Sequence, residues 1–172
     1  VEADRGRYRL LETVRQYALE KLAESGDADT VRDRHLDYFL KLTERAEPKL
    51  RSAEQLIWLN RLEAERENLR AALEWSLGRD DAEVCLRFTG AGWFFWGMRG
   101  YRQDGSRWLK AALEKPRAEK RGAARGKALT GLAYMARYQG DLLASQNAAQ
   151  EAVAIWREVG DKWWLAFTLG RV

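Results

Sequence analysis

The chain has 172 residues, 46% hydrophobic and 33% charged, with a formal net charge of +4. That is the balance of a folded globular chain, long enough to bury roughly 70% of its unfolded surface without disulfides or metal. One histidine, one cysteine and two methionines cannot build a His/Cys metal cluster or a Cys–His catalytic constellation, so we expect no enzyme, cofactor or metal site. The single Cys85 suits a reducing, cytoplasmic setting. The opening VEADRGRYRLLE lacks the layout of a signal peptide. The longest uncharged aromatic run, residues 88–98, falls well short of the roughly 20 residues that cross a bilayer, so no membrane partner is expected.

Residues 8–12 alternate weakly and predict a short strand. A helix follows, with Val14, Tyr17, Ala18 and Leu22 on one face, Thr13 as its N-cap and Ser25-Gly26-Asp27 as its stop. The second helix is predicted from Asp29 or Thr30 towards Ala46, with Val31, Leu36, Tyr38, Phe39, Leu40 and Leu42 giving a wide apolar face and Pro48 ending it. Ser52 opens a long helix to about Leu77, closed by Gly78. Residues 82–99, 103–114, 118–139 and 142–159 read as four further helices, and 162–172 begin another.

These last segments repeat. Setting Gly100 on Gly140 gives a period of 40, which also places Ala112-Leu113 on Ala152-Val153 and Trp108 on Ala148. Helix–turn–helix at that period marks an all-α α-solenoid, and the small residues around its turns resemble a lengthened tetratricopeptide (TPR) repeat. The glycines at 90, 92 and 97 sit among Trp93, Phe94, Phe95 and Trp96, where small residues let a neighbouring helix approach while the rings fill the space.

Residues 7–42, RYRLLETVRQYALEKLAESGDADTVRDRHLDYFLKL, and 58–77, WLNRLEAERENLRAALEWSL, resemble the region after the nucleotide-binding core in bacterial multidomain signal-transduction ATPases. Those proteins include LuxR-type and AfsR-type transcriptional regulators. The resemblance implies that residues 1–26 are the last strand and helix of a winged-helix domain and 27–79 are connecting helices. Residues 80–172 would then hold about two and a half TPR-like units. It further implies a protein-interaction or sensor module. Its partner would be a peptide, another protein, the parent's own ATPase core or a small inducer, with DNA touched only by domains outside this chain. The opening without Met and the close inside a first-helix pattern imply a segment of a longer protein. On that view residues 1–12 have lost their hairpin partners, and Trp163 and Trp164 have lost the repeat they would pack against.

No nucleotide motif is complete. Gly122-Ala-Ala-Arg-Gly126-Lys127-Ala128 has too few residues between its glycines for a phosphate loop and lacks the Ser or Thr that holds magnesium. Glu67–Arg70 and Arg61–Glu65 sit at helical spacing and read as surface support. The lone His35 is expected at a helix–helix boundary, and Cys85 as a small buried hydrophobe.

Two features remain. Residues 81–172 carry 15 basic and 9 acidic side chains, and ten of the basic ones lie between Arg99 and Lys127. That patch could attract nucleic acid or an acidic partner, or be a solvated helix surface. Trp93, Trp96, Tyr101, Arg102, Arg107 and Trp108 flank one turn and mix rings with guanidiniums. They fit core filling with a basic rim, anchors of a protein-binding surface, or a stacking platform for nucleic-acid bases.

Overall fold

The computed structural model describes residues 11–118 and 120–170, and all their regular structure is helical. The expected strand at 8–12 falls mostly outside the described residues, and Glu12 already belongs to a helix. The chain divides into two compact units, Val1–His35 and Leu36–Val172.

In the first unit, α1 (Glu12–Ser25) ends at Gly26, whose φ of 76° is left-handed and open to glycine at little cost. Thr13 does not cap it: the helix starts one residue earlier, and no side chain caps its N-terminus. The apolar stripe read from sequence stays outward, with Val14 and Tyr17 exposed. α2 (Ala28–Lys49) begins in this unit, and its residues from Leu36 onward belong to the second. Pro48 sits inside the last turn of α2 instead of stopping it. Proline costs one backbone hydrogen bond there, while Ala46 and Leu50 on either side are fully buried and hold the chain in place.

In the second unit the long helix expected over 52–77 is two, α3 (Gln55–Ala64) and α4 (Arg66–Leu77). They are separated by Glu65 at φ −102°, ψ 10°, whose N–H bonds the Leu62 carbonyl at 3.0 Å. No proline or glycine marks the break. It lets Leu59 and Leu62 on one side, and Leu69, Ala72 and Leu73 on the other, all reach the core.

The repeat is present at the expected period. α5 (Ala82–Arg99) and α6 (Arg102–Leu113) form one hairpin, α7 (Ala123–Tyr138) and α8 (Leu142–Val159) a second, and α9 (Lys162–Leu169) restarts the pattern. Gly100 and Gly140 hold the two hairpin turns at φ 86° and 82°, a region that L side chains rarely adopt. Asp81, Asp141 and Asp161 then cap α5, α8 and α9, each carboxylate accepting from a backbone N–H three residues on at 3.0–3.1 Å. α7 starts five residues later than its alanine-rich sequence suggests. Arg117 is left-handed (φ 68°), and the Ala118 carbonyl is taken by the Arg125 side chain at 2.7 Å instead of by a helix.

The stack is held by indoles seated on glycines. A Cβ on Gly131 of α7 would lie 2.5 Å from Trp93 of α5, and one on Gly126 would lie 2.7 Å from Trp156 of α8. Both tryptophans are essentially inaccessible, and their closeness to the backbone sets the helix spacing. Gly131→Ala is therefore expected to destabilise the chain by roughly 1–3 kcal/mol through overpacking, read from the midpoint of chemical unfolding. An unchanged midpoint would contradict this packing.

Candidate functional site

The six residues singled out from sequence part company. Trp93 is 1% exposed, ringed by Phe94, Tyr134 and Phe167 at centroid distances of 5.4, 5.2 and 6.1 Å. It is core and cannot meet a partner. Arg102 lies over the Tyr138 ring at 5.0 Å. Arg107 pairs with Asp104 at 3.1 Å on the surface. The remaining three, Trp96, Tyr101 and Trp108, line one pocket of about 220 Å³ formed by α4, α5 and α6.

Its apolar part is buried. Trp96 and Trp108 are 4% and 6% exposed, with ring centroids 5.0 Å apart at 56°, and Leu69 and Phe95 complete the floor. The mouth carries charge of both signs: Arg66, Glu67 and Arg70 from successive turns of α4, and Asp104 from α6. Tyr101 links floor and mouth. Its hydroxyl donates to Glu63 Oε1 at 2.6 Å and accepts from Arg66 Nη1 at 3.1 Å. The hydrogen bond with Tyr101, and then that with Glu67, raises the Arg66 guanidinium above its ordinary value, and Glu74 does the same for Arg70. Both stay charged.

The α4 residues of this mouth escaped the sequence reading because they look like ordinary helix-surface charges. In place of the expected Glu67–Arg70 pair, Arg70 bonds Glu74 at 3.0 Å and Glu67 bonds Arg66 at 2.9 Å. The available signal was Asp104 three residues past Tyr101, beside an aromatic turn.

Side chains at the end of α2 reach each helix of the row of first helices, α5, α7 and α9. Glu44 accepts two hydrogen bonds from Arg87 of α5 at 2.7 and 2.9 Å, and Glu47 pairs with Lys127 of α7 at 2.7 Å. Arg51, just past α2, stands 4.6–5.7 Å over Trp163, Trp164 and Phe167 of α9. This segment also buries Leu36, Phe39, Leu40, Leu42 and Leu50. At about 2 kcal/mol for each such side chain, its release costs near 10 kcal/mol, more than the roughly 8 kcal/mol of a micromolar ligand. A peptide that takes that face has to replace these contacts of α2. Trp164, expected to lack a partner, is instead buried and stacked on Trp156 at 5.3 Å and 14°, whereas Trp163 is 52% exposed.

The basic segment is also less free than its sequence suggests. Arg99, Arg121, Arg125 and Lys127 pair with Glu63, Glu158, Glu151 and Glu47, carboxylates from other parts of the chain, and Lys115 donates to the Leu77 carbonyl. Burial pushes the Cys85 thiol above its ordinary value, away from thiolate chemistry. His35 is half-buried on α2. Among the described residues no cluster of three or more His, Cys, Asp and Glu is placed to hold a metal ion, and no helix is long and apolar enough to cross a membrane.

Comparison with known proteins adds a context. The chain is 36% identical over 167 residues to proteins of Mycobacterium tuberculosis and Mycobacterium bovis, each named "Putative HTH-type transcriptional regulator". The match takes in 91% of this chain and 18% of those proteins, so the chain spans about a fifth of their length. A second relative, an uncharacterized protein of Mycobacterium tuberculosis, is 68% identical over 37 residues, 20% of this chain and 9% of that protein. No family model matches, and no solved structure does.

The Glu47–Lys127 pair offers a direct check on these contacts of α2. Glu47 is buried and without Lys127 keeps only the 3.5 Å pair with Arg51, so Lys127→Ala is expected to cost about 1–3 kcal/mol. The double substitution Glu47→Gln with Lys127→Met, which keeps an acceptor for Arg51, should recover part of that loss in thermal unfolding. A double variant no better than the single one would contradict the pairing.

Proposed function

We propose that this chain is the sensor or protein-interaction module of a bacterial transcriptional regulator, a TPR-like segment joined to a winged-helix domain and an ATPase core of the LuxR or AfsR type. The observation that carries the reading is the preformed pocket of α4, α5 and α6, an aromatic floor under a mouth of mixed charge. Small-ligand sites are commonly concave and apolar with a few placed polar groups. The similarity to HTH-type regulators over nearly the whole chain supports the transcriptional setting. The sequence resemblance supports the arrangement of neighbouring domains and a cytoplasmic location. Occupation of the pocket by a small inducer, a peptide or a partner domain would favour one state of the ATPase core over another, by as much as its affinity differs between them.

Nucleic-acid binding by the Arg99–Lys127 segment is the weaker reading, because several of its cations are matched by carboxylates within the fold. It would show as binding that falls steeply with salt. A binding role is preferred to an enzymatic one because the charges at the pocket are paired surface groups, without a nucleophile and base poised together.

The reading is tested in an intact regulator carrying this segment. Arg66→Ala with Arg70→Ala should leave promoter-DNA binding unchanged while altering transcription from its promoter severalfold in a reporter strain. Wild-type transcription in the double variant would contradict a sensing role, as would a direct loss of DNA binding.

A further inference from the structure

We propose that α5 and α7 carry a docking surface beside α2, an apolar ledge that takes an acidic amphipathic helix of a partner protein. The ledge shares no residue with the α4–α5–α6 pocket, so it goes beyond the sensing reading and is tested apart from it.

One register of the repeat builds the ledge. Phe94 and Met98 of α5 stand one turn apart on one helix face, and Tyr134 and Tyr138 of α7 hold the same places at the period of 40. Met98 and Tyr138 are 47% and 60% exposed, and Phe94 and Tyr134 are half-buried. Tyr134 joins the two helices into one surface. A Cβ on Gly97 of α5 would lie 2.8 Å from its Cε1 atom, and its ring stands 4.7 Å from that of Tyr138. Large apolar side chains left accessible at neighbouring places mark an interaction surface.

The neighbouring contacts of α2 say what shape fits there. Glu44 and Glu47 meet Arg87 of α5 and Lys127 of α7, which are again equivalent positions at the period of 40. Phe94 and Tyr134 follow those cations by seven residues, on the same helix faces and about 10 Å further along at 1.5 Å per residue. Packed helices lie roughly 8–10 Å apart. A helix laid against α2 on that side therefore rests on the ledge and leaves the α2 contacts in place.

The charge beside the ledge says what chemistry fits. Arg102 lies over the Tyr138 ring at 5.0 Å. Its enclosed Nε makes no hydrogen bond, and among the described residues no carboxylate pairs with it. Arg137, next to Tyr138 in the chain, is exposed. Asp141, the carboxylate nearest to Tyr138 in sequence, is taken up in capping α8. A helix with large apolar side chains on one face and Glu or Asp along its flank meets apolar surface and positive charge together. A basic helix meets the same surface against repulsion. The acidic pattern is the one α2 itself presents to α5 and α7 through Glu44 and Glu47.

Fluorescence anisotropy on the full chain tests this with a labelled designed peptide of about 18 residues, long enough to cross two helices. It carries Leu along one helical face and Glu on both flanks. A version with Lys in place of every Glu and a scrambled version are the comparison arms. Saturable one-to-one binding of the acidic helix is expected, weaker by about tenfold or more for both comparison peptides. Met98→Glu with Tyr138→Glu should weaken it by about tenfold or more. Arg102→Gln, which leaves the apolar residues in place, should weaken it severalfold with an unchanged melting temperature. Trp163→Ala, at an exposed ring elsewhere, should leave it unchanged. No saturable binding, equal binding of the three peptides, or full affinity in both ledge variants would overturn the proposal. Self-association of the chain that the Met98 and Tyr138 substitutions abolish would give the ledge to a second copy and overturn the partner. Displacement of the peptide by duplex DNA would give it to nucleic acid and do the same. Arg66→Ala with Arg70→Ala should bind the peptide as the wild type does, so failure of the ledge and failure of the sensing pocket are told apart.

Discussion

The spacing between α5 and α7 governs the rest of the repeat stack, and it is set by Trp93 resting on Gly131 with no Cβ between them. The same device recurs one helix on, where Trp156 rests on Gly126 and donates its indole N–H to Thr130 Oγ1 at 3.2 Å. Thr130 in turn faces Thr168 of α9 at 3.0 Å, and Trp164 stacks on Trp156. Large rings on small residues thus fix three successive first helices in register. Interiors packed this tightly tolerate little change in volume, so the tryptophans that do this work are unavailable for binding anything else.

That constraint decides where a ligand can go. Trp93 and Trp156 are enclosed, and Glu44, Glu47 and Arg51 at the end of α2 engage side chains of α5, α7 and α9. Among the described residues, an aromatic-lined opening is at the other edge, where α4 approaches α5 and α6. The break at Glu65 matters there. It starts α4 afresh at Arg66, and the first two turns of the new helix supply Arg66, Glu67 and Arg70 to the pocket mouth. A local kink in the connecting helices therefore becomes the source of the site's charge.

Much of the fold was legible in the sequence because its signals are local. Apolar spacing and the glycine–aspartate turns placed α5 and α8 at their observed ends, and the coincidence of Gly100 with Gly140 found the hairpins. What stayed hidden depends on contacts far apart in the chain. Glu47 and Lys127 are 80 residues apart, Glu44 and Arg87 are 43, and nothing in either local pattern announces the other. The same reason explains the six aromatic and basic candidates. Helical spacing grouped them correctly around one turn, but only the placement of α4 decides that Trp96, Tyr101 and Trp108 reach a pocket while Trp93 does not. The excess of basic residues after Arg99 was real, yet much of its counter-charge comes from carboxylates outside the segment.

The central claim is that Trp93 and Trp156, seated on Gly131 and Gly126, hold the repeat stack together. Hydrogen exchange of the indole N–H groups of the eight tryptophans reads this in one spectrum. The account expects the Trp93 and Trp156 indoles to exchange far more slowly than that of Trp163, which is 52% exposed. Exchange at Trp93 or Trp156 as fast as at Trp163 would contradict it.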